Sequence, residues 1–212
     1  MLNGLTTAFR TLSIIPVPGK DATRFSDALY GFPIVGIVLG AVLFSICLAF
    51  EKARLSAWPE AIALLLVILS VFLTRGFHLD GLADFADGFW GGYDRERTLA
   101  IMKDSFLGTF GVLALILLLL AKWIALNKLI QISGFYWIGA AYLISRTIMV
   151  DLIVVYPYAR EEGTAGPFIK GANWKHWVFA MIVCSGSLFL LLNWVGLVVM
   201  VIVFGLAKIY GR

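Results

Sequence analysis

Long apolar runs, separated by short polar segments, occupy most of this chain. A transmembrane helix needs about 20 consecutive apolar residues. Four runs approach that length: 32–50, 60–75, 106–126 and 135–156. The second run is short for a span, but it can be extended through Gly76 and Phe77.

The last apolar run, 177–207, is too long for a single span. Asn193 and Gly196 lie near its centre, in the stretch LNWVG, and both residue types favour turns. We therefore expect two helices joined by a tight turn at this point. The whole pattern then predicts about six transmembrane helices.

A shorter amphipathic segment begins the chain. Its apolar side chains recur at helical spacing: Leu5, Phe9, Leu12 and Ile15. This spacing predicts a short helix that lies on the membrane face and ends before the two prolines that follow. The segment lacks the basic start and long apolar centre of a cleavable signal peptide.

Composition supports the same interpretation. Hydrophobic residues make up 61% of the 212 residues and charged residues 14%, with a mean hydropathy of +0.93. Soluble domains average about 25% charged residues, so this much apolar surface needs lipid to face. The prediction is an all-α fold, a polytopic integral membrane helix bundle of about six transmembrane helices plus the amphipathic N-terminal helix. We expect one transmembrane transferase domain over residues 1–212.

Two kinds of site are disfavoured. Cys47 and Cys184 lie in apolar runs and form no C-x-x-C or Cys/His cluster, so neither a zinc site nor a disulfide framework is indicated. The formal charge of +4 is modest, and no basic segment stands apart. The charge therefore indicates membrane topology and anionic substrates, and no nucleic-acid partner is expected.

The distribution of basic residues predicts how the chain is oriented in a cell membrane. With the N-terminus in the cytoplasm, six spans place 12 of the 17 basic residues on the cytoplasmic side and 3 on the other. Cytoplasmic loops carry an excess of Lys and Arg. We therefore expect a multi-pass protein of the cell membrane, with its N-terminus, residues 78–104 and the loop 157–176 cytoplasmic.

An acidic run, HLDGLADFADGFWGG, begins at His78 and contains three aspartates within eight positions. On a helix, Asp84 and Asp87 lie about 40° and 20° to either side of Asp80, so the three carboxylates share one face. Such a face repels itself unless a cation binds there, and hard oxygen ligands suit Mg²⁺, Mn²⁺ or Ca²⁺. The apolar residues between them are expected to bury the acids, and three glycines are expected to admit a ligand closely: Gly88, Gly91 and Gly92.

A second helix is expected to start with Asp94 as its N-cap and to continue into the third span. Four residues would then share one face at helical spacing: Arg97, Asp104, Gly108 and Gly111. Asp104 would add a fourth carboxylate to the acidic face. Arg97 or Lys103 would lie near enough to bind a phosphate. An Asp–Lys pair at the membrane surface is the alternative interpretation of Asp104.

Arg146 lies inside an apolar run, where a cation is costly unless an anion neutralises it. Asp151 is about 140° away on the same helix and is a poor partner. We expect Arg146 to face a cavity and to bind either the carboxylates named above or a substrate phosphate.

Several stretches together resemble the cobalamin synthase family, also called adenosylcobinamide-GDP ribazoletransferase. They are GFHLDGLADFADG, RERTLAIMKDSFLGTFG, YAREEGTAGPF, FPIVGIVLG and FRTLSIIPVP. The resemblance covers the chain from about residue 8 to its end. Family members continue into a Thr-Gly-Asp-x-x-Gly-Ala stretch and a further apolar helix, so we expect this sequence to be truncated relative to the family.

The resemblance implies a Mg²⁺-dependent transfer. A hydroxyl of α-ribazole or its 5′-phosphate would attack the phosphorus nearest the cobinamide in adenosylcobinamide-GDP, and GMP would leave. One or two Mg²⁺ ions, with Mn²⁺ as a substitute, would neutralise the phosphates. The implied partners are these substrates and the lipid bilayer, and a homo-oligomer is compatible with the pattern.

The same resemblance implies roles for individual residues. The metal ligands would be Asp80, Asp84, Asp87 and Asp104. His78 matches the motif and would hold a phosphate or transfer a proton. Arg160 and Gly163 belong to the YAR stretch and would contact phosphate or nucleotide.

Two other function classes share parts of this pattern. A CDP-alcohol phosphotransferase also uses Asp-bound metals in a membrane, but its D-x-x-D-G-x-x-A-R pattern fails at Gly91 and Gly92. A cation-coupled transporter would be expected to show an inverted repeat and acids near the membrane midplane. No such repeat is visible in the sequence, and the acids cluster at one edge.

Overall fold

The computed structural model describes residues 2–54, 57–159 and 163–210, and the regular structure in these ranges is helical. A 3-10 helix, Phe25–Tyr30, lies between α1 and α2. The α-helices are α1 Leu2–Leu12, α2 Phe32–Lys52, α3 Pro59–Leu73, α4 Phe77–Gly91, α5 Arg95–Ile101, α6 Thr109–Gln131, α7 Tyr136–Val155, α8 Gly166–Ile169 and α9 Trp174–Tyr210. The all-α prediction is confirmed.

Within the described ranges, four helices are long and apolar enough to cross a membrane: α2, α6, α7 and α9. The pair α3 and α4 is a fifth candidate if it forms one broken span, since the two helices meet at 88°. When the two halves of α9 are counted separately, this agrees with the predicted polytopic membrane bundle of about six spans.

Helix contacts divide the chain into two compact units, which are described one at a time. The terminal unit comprises Met1–Ala53 and Gly134–Arg212, and the central unit comprises Arg54–Ser133. The prediction of one transferase domain over residues 1–212 stays a prediction.

In the terminal unit, α2 and α7 cross closely at glycines. A Cβ on Gly40 would lie 2.8 Å from Cα of Gly139, and one on Gly36 would lie 2.7 Å from the backbone oxygen of Tyr142. Small residues let two helix backbones approach and maximise their packing in lipid. These glycines therefore determine where the two spans cross.

The expected turn in the last apolar run is confirmed at Asn193, whose backbone is non-helical at φ 52° and ψ −144°. Cys184 and Leu188, before the turn, share a core cluster with Met200 and Phe204, after it. The two halves of α9 therefore pack side by side. Gly196 allows this, because a Cβ there would lie 2.8 Å from the backbone oxygen of Leu188.

The N-terminal helix is also confirmed. α1 ends at Leu12, and its buried residues include Ala8, Phe9 and Leu12. It contacts the 3-10 helix and α2. Its apolar side is therefore at least partly covered by protein, and its position at the membrane face stays a prediction.

The central unit begins with α3, which packs on α6. α3 does not continue as a straight helix through Gly76 and Phe77, although α3 and α4 together form a candidate broken span. The amides of Arg75 and Gly76 donate to the carbonyls of Phe72 and Val71, 3.0 and 2.9 Å away, and both residues have positive φ. This is the hydrogen-bond pattern that ends a helix with a left-handed residue. The chain then turns, and α4 starts in a new direction.

Candidate active site

The predicted helix for the acidic run is confirmed as α4, and its three aspartates project from one face. Their environments differ. Asp80 is exposed, Asp84 is half-buried, and Asp87 retains only 8% of its accessible surface. The expectation that apolar neighbours bury all three acids therefore holds for Asp87 alone. Two of these apolar neighbours, Phe85 and Phe89, are themselves exposed. We call the side of α4 that carries Asp80 and Asp84 the acidic edge.

Asp87 caps another helix. Its Oδ2 accepts a hydrogen bond from the amide of Gly108 at 2.7 Å, and its Oδ1 accepts one from the amide of Gly111 at 2.8 Å. Gly108 is the N-cap of α6 and has no side chain to perform this role. The Asp87 carboxylate therefore satisfies amides at the start of α6, where the helix dipole also favours a negative charge.

The two glycines are required by this contact. A Cβ on either Gly108 or Gly111 would collide with the Asp87 carboxylate. Their spacing, Gly-x-x-Gly, places one glycine at the N-cap and the other on its third following residue. The sequence instead predicted both glycines on one helix face with Arg97 and Asp104.

The expected long helix from Asp94 into the third span is wrong. The N-cap is confirmed, since Asp94 Oδ1 accepts from the Arg97 amide at 2.7 Å. However, α5 ends at Ile101 and α6 starts only at Thr109. Thr98 packs against Gly88 while Gly108 binds Asp87. A continuous helix would separate residues 98 and 108 by about 15 Å, so it could not make both contacts.

The break in the chain changes the position of Asp104. This residue lies between α5 and α6, is exposed, and accepts at Oδ1 from the Phe106 amide at 3.2 Å. The expected helical face shared with Gly108 and Gly111 does not form. Arg97 and Lys103 are also exposed.

Glycines near the end of α4 admit α5. A Cβ on Gly88 would lie 3.1 Å from the Thr98 carbonyl oxygen and would collide with Met102. A Cβ on Gly92 would collide with the Thr98 side chain. The close approach that these two glycines permit is therefore used by a helix of the protein itself.

Within residues 2–54, 57–159 and 163–210, no three His, Cys, Asp or Glu side chains converge closely enough to hold a metal ion by themselves. Asp80 and Asp84 lie one helical turn apart on the acidic edge. Each Asp87 oxygen, although hydrogen-bonded, keeps a second lone-pair site. His78 lies in the first turn of α4, off the acidic face, with its ring 5.5 Å from that of Phe77.

Arg146, in the terminal unit, is 6% exposed. Its Nη1 donates to Ser145 Oγ at 2.8 Å, and its guanidinium carbon lies 5.3 Å from the centre of the Tyr142 ring. Its Nε and Nη2 are buried and have no hydrogen-bond partner among the described residues. These two atoms form one edge of the guanidinium, and that edge binds carboxylates and phosphates with two parallel hydrogen bonds.

Asp151, expected to be a poor partner for Arg146, contacts a residue of another helix instead. It is 1% exposed, and its Oδ1 accepts from the Trp177 indole nitrogen at 2.6 Å, which links α7 to α9. Its Oδ2 is buried and has no hydrogen-bond partner in the described part of the chain. No sequence pattern pairs residues 151 and 177, since they lie on different helices.

The YAR stretch is described only in part. Arg160 lies outside the described residues. Gly163 is exposed, and a Cβ on it would collide with the Tyr158 hydroxyl. The nucleotide contact expected of these two residues stays a prediction.

Comparison with known proteins gives consistent results. The family model described as cobalamin-5-phosphate synthase matches residues 4–212. A relative from Chlorobaculum parvum, named adenosylcobinamide-GDP ribazoletransferase, is 48% identical over 92% of this chain and 76% of its own. Relatives with the same name from Chlorobium phaeobacteroides and Syntrophobacter fumaroxidans are 49% and 36% identical, over 91% and 95% of this chain and 77% and 82% of theirs. No solved structure matches.

Proposed function

The chain belongs to the cobalamin-5-phosphate synthase family, and from this premise we propose that it acts as an adenosylcobinamide-GDP ribazoletransferase. A hydroxyl of α-ribazole, or of its 5′-phosphate, attacks the phosphorus nearest the cobinamide in adenosylcobinamide-GDP. The bond from that phosphorus to the GMP portion breaks, GMP leaves, and adenosylcobalamin or its 5′-phosphate forms. Neither alternative from the sequence, the CDP-alcohol phosphotransferase or the transporter, is favoured by this family membership.

The observation that carries the chemical part of this proposal is the acidic edge of α4. Asp80 and Asp84 present two carboxylates one turn apart, one exposed and the other half-buried. Mg²⁺ is commonly bound by one or two carboxylates, with substrate phosphates and water as its other ligands. The donor set therefore fits a Mg²⁺ ion that the diphosphate substrate helps to hold, and Mn²⁺ suits the same oxygens. The ion would neutralise charge on the attacked and leaving phosphoryl groups.

Asp87 has a second role in this proposal besides that of a metal ligand. By capping α6, it fixes the rotation of α4 and so holds the acidic edge in one orientation. Asp104 is the proposed fourth ligand. It lies in an exposed loop of the same unit as the acidic edge.

The basic residues are proposed to bind phosphate. Arg97 and Lys103 are exposed in the same unit as the acidic edge. Arg146 offers a buried edge of its guanidinium that has no partner among the described residues and matches a phosphate geometrically. Arg160 and Gly163 stay proposed contacts of the nucleotide, and His78 a proposed phosphate or proton-transfer group.

The test is GMP release from adenosylcobinamide-GDP in the presence of α-ribazole, by purified protein in detergent. We expect Asp80→Asn and Asp84→Asn to lower turnover by about 100-fold or more, because loss of even an outer-shell partner of a metal ligand costs about 10–100-fold. The matched control is Asp94→Asn, which removes an equal charge from the same unit and keeps its N-cap, since Asn caps helices as well as Asp does. Chelation should stop turnover, and Mg²⁺ or Mn²⁺ should restore it. Normal turnover by Asp84→Asn would refute the metal assignment.

We also propose that the N-terminus and the acidic edge face the cytoplasm. The basis is the 12-to-3 distribution of basic residues. Lys20 is exposed, whereas both native cysteines are buried, so a Lys20→Cys variant offers one reactive thiol. In intact cells an impermeant reagent should not label this thiol. Labelling would show that the N-terminus faces the outside and would contradict the proposed orientation.

A further inference from the structure

The direction of α4 relative to α3 bears on whether α4 crosses the membrane. The two helices meet at 88°. Arg75 and Gly76, both with positive φ, form the bend between them. If α3 follows the membrane normal, α4 therefore runs nearly parallel to the membrane surface. The contacts of Asp87 indicate the depth at which α4 lies in the bilayer.

Asp87 ties α4 to the start of α6, because its carboxylate accepts hydrogen bonds from the first amides of that helix. The depth of α4 in the membrane is therefore that of the α6 N-terminus. α6 is a 23-residue apolar helix, long enough to cross a membrane by itself. The end of such a span lies at the boundary between lipid and water. Asp87 is near the middle of the second half of α4, so α4 passes across this boundary region and does not continue through the hydrocarbon.

The exposed surface of α4 has two chemically different sides. Phe85 and Phe89 lie about 140° and 180° around the helix from Asp80. They are 52% and 59% exposed, and their rings stack at 5.5 Å. Trp90 is 67% exposed and touches both Phe89 and Phe110, the latter in the first turn of α6. We call Phe85 and Phe89 the aromatic edge; Trp90 lies between it and Asp87, about 80° from Asp80 in the opposite direction.

Charge does not explain how this segment would be held at a membrane. Residues 75–104 contain four basic side chains and six acidic ones: Arg75, Arg95, Arg97 and Lys103 against Asp80, Asp84, Asp87, Asp94, Glu96 and Asp104. The net charge is therefore −2, which repels anionic lipid. Aromatic rings, in contrast, favour the headgroup region, where an apolar body and a polar surface are both accommodated.

We propose that α4 is an interfacial helix. Its aromatic edge is embedded among the lipid headgroups and the first acyl carbons, and its acidic edge faces the water. The partner of the aromatic edge is the lipid surface itself. This places the carboxylates of Asp80 and Asp84 within reach of a water-soluble substrate while α4 stays anchored in the membrane. The proposal does not depend on which reaction the protein catalyses.

The test is a spin-label depth scan of the full chain in phospholipid vesicles. The native thiols, Cys47 and Cys184, are 2% and 0% exposed, so single cysteines placed at Asp80, Leu82, Phe85 and Phe89 can be labelled selectively. Collision with oxygen reports lipid exposure, and collision with a water-soluble nickel complex reports water exposure. Position 80 lies opposite positions 82, 85 and 89 on the helix. We expect labels at 82, 85 and 89 to lie at similar depth in lipid and the label at 80 to face water, so that depth oscillates with the helical period.

Labels at Leu113 and Leu117, on the exposed side of α6, provide the control. Their depths should differ by about 6 Å, as in a helix that crosses the bilayer. If α4 instead completes a broken span, depth will change steadily by about 14 Å between positions 80 and 89. That result would overturn the proposal. Equal access of the nickel complex to 80, 85 and 89 would also overturn it, because the aromatic edge would then face water.

Discussion

Asp87 and Arg146 are both buried charges, and the two regions around them treat the charge differently. In the central unit, each carboxylate oxygen of Asp87 accepts a backbone amide. In the terminal unit, Arg146 donates to Ser145, and two of its buried nitrogen atoms lack a partner among the described residues. Desolvating a charge is costly unless its hydrogen bonds are replaced. Asp87 has the contacts of a structural charge, whereas Arg146 has those of a charge that needs a ligand.

The largest effect on stability should come from removing the satisfied charge. Asp87→Ala deletes two charge-assisted hydrogen bonds, each worth about 1.5–3 kcal/mol, and leaves the α6 amides uncapped. We expect a loss of about 3–6 kcal/mol, seen as a lower midpoint of helix melting by circular dichroism in detergent. Asp80→Ala, on the same helix but exposed, should change stability by less than about 0.5 kcal/mol. Equal melting midpoints for the two variants would mean that Asp87 does not cap α6.

Removing the charge of Arg146, whose hydrogen bonds are incomplete, should affect stability in the opposite direction. An unpaired cation within a span costs about 2.5–3.5 kcal/mol, so Arg146→Met should leave stability unchanged or raise it while substrate use falls. Arg146→Lys should also weaken substrate use, because a point charge does not reproduce bidentate binding. Inorganic diphosphate should raise the melting midpoint of the wild type and not of Arg146→Met. Unfolding of Arg146→Met would instead show a structural role.

Asp151 is intermediate, since one of its oxygens is bonded and the other has no partner within the described ranges. Trp177→Phe removes the indole donor to this carboxylate and should cost about 1–3 kcal/mol. Trp174→Phe, an exposed tryptophan one turn earlier on α9, is the control and should cost almost nothing. A thiol-reactive dye detects unfolding of both variants, because Cys47 and Cys184 are buried in this same unit. If the two variants unfolded at the same midpoint, the hydrogen bond between α7 and α9 would not contribute to stability.

The smallest effect concerns the glycines that make room for the capping contact. Gly81 lies in α4 with open space where a methyl group would be added, whereas a Cβ on Gly111 would collide with Asp87. Ala is favoured over Gly in a helix by about 1 kcal/mol. Gly81→Ala should therefore stabilise the protein by up to that amount, and Gly111→Ala should destabilise it, when both are compared by thermal melting. Two changes of the same sign would contradict the close approach of α4 to α6.

Features with a local cause were predictable from the sequence. The apolar runs identified the spans, because each span must satisfy its own backbone hydrogen bonds in lipid. Asn193 marked the turn in α9, and Asp94 marked a helix start, since both residues act within one turn of the chain. The shared face of Asp80, Asp84 and Asp87 followed from helical periodicity alone.

Only the tertiary structure decided the contacts between residues that are distant in sequence. Asp87 accepts hydrogen bonds from amides 21 and 24 positions away, and this contact distinguishes a buried cap from the more accessible acidic edge on the same helix face. The same contact, with the packing of Thr98 on Gly88, requires the break between α5 and α6. Periodicity describes one helix at a time, so it could not show which amides the Asp87 carboxylate would meet on another helix.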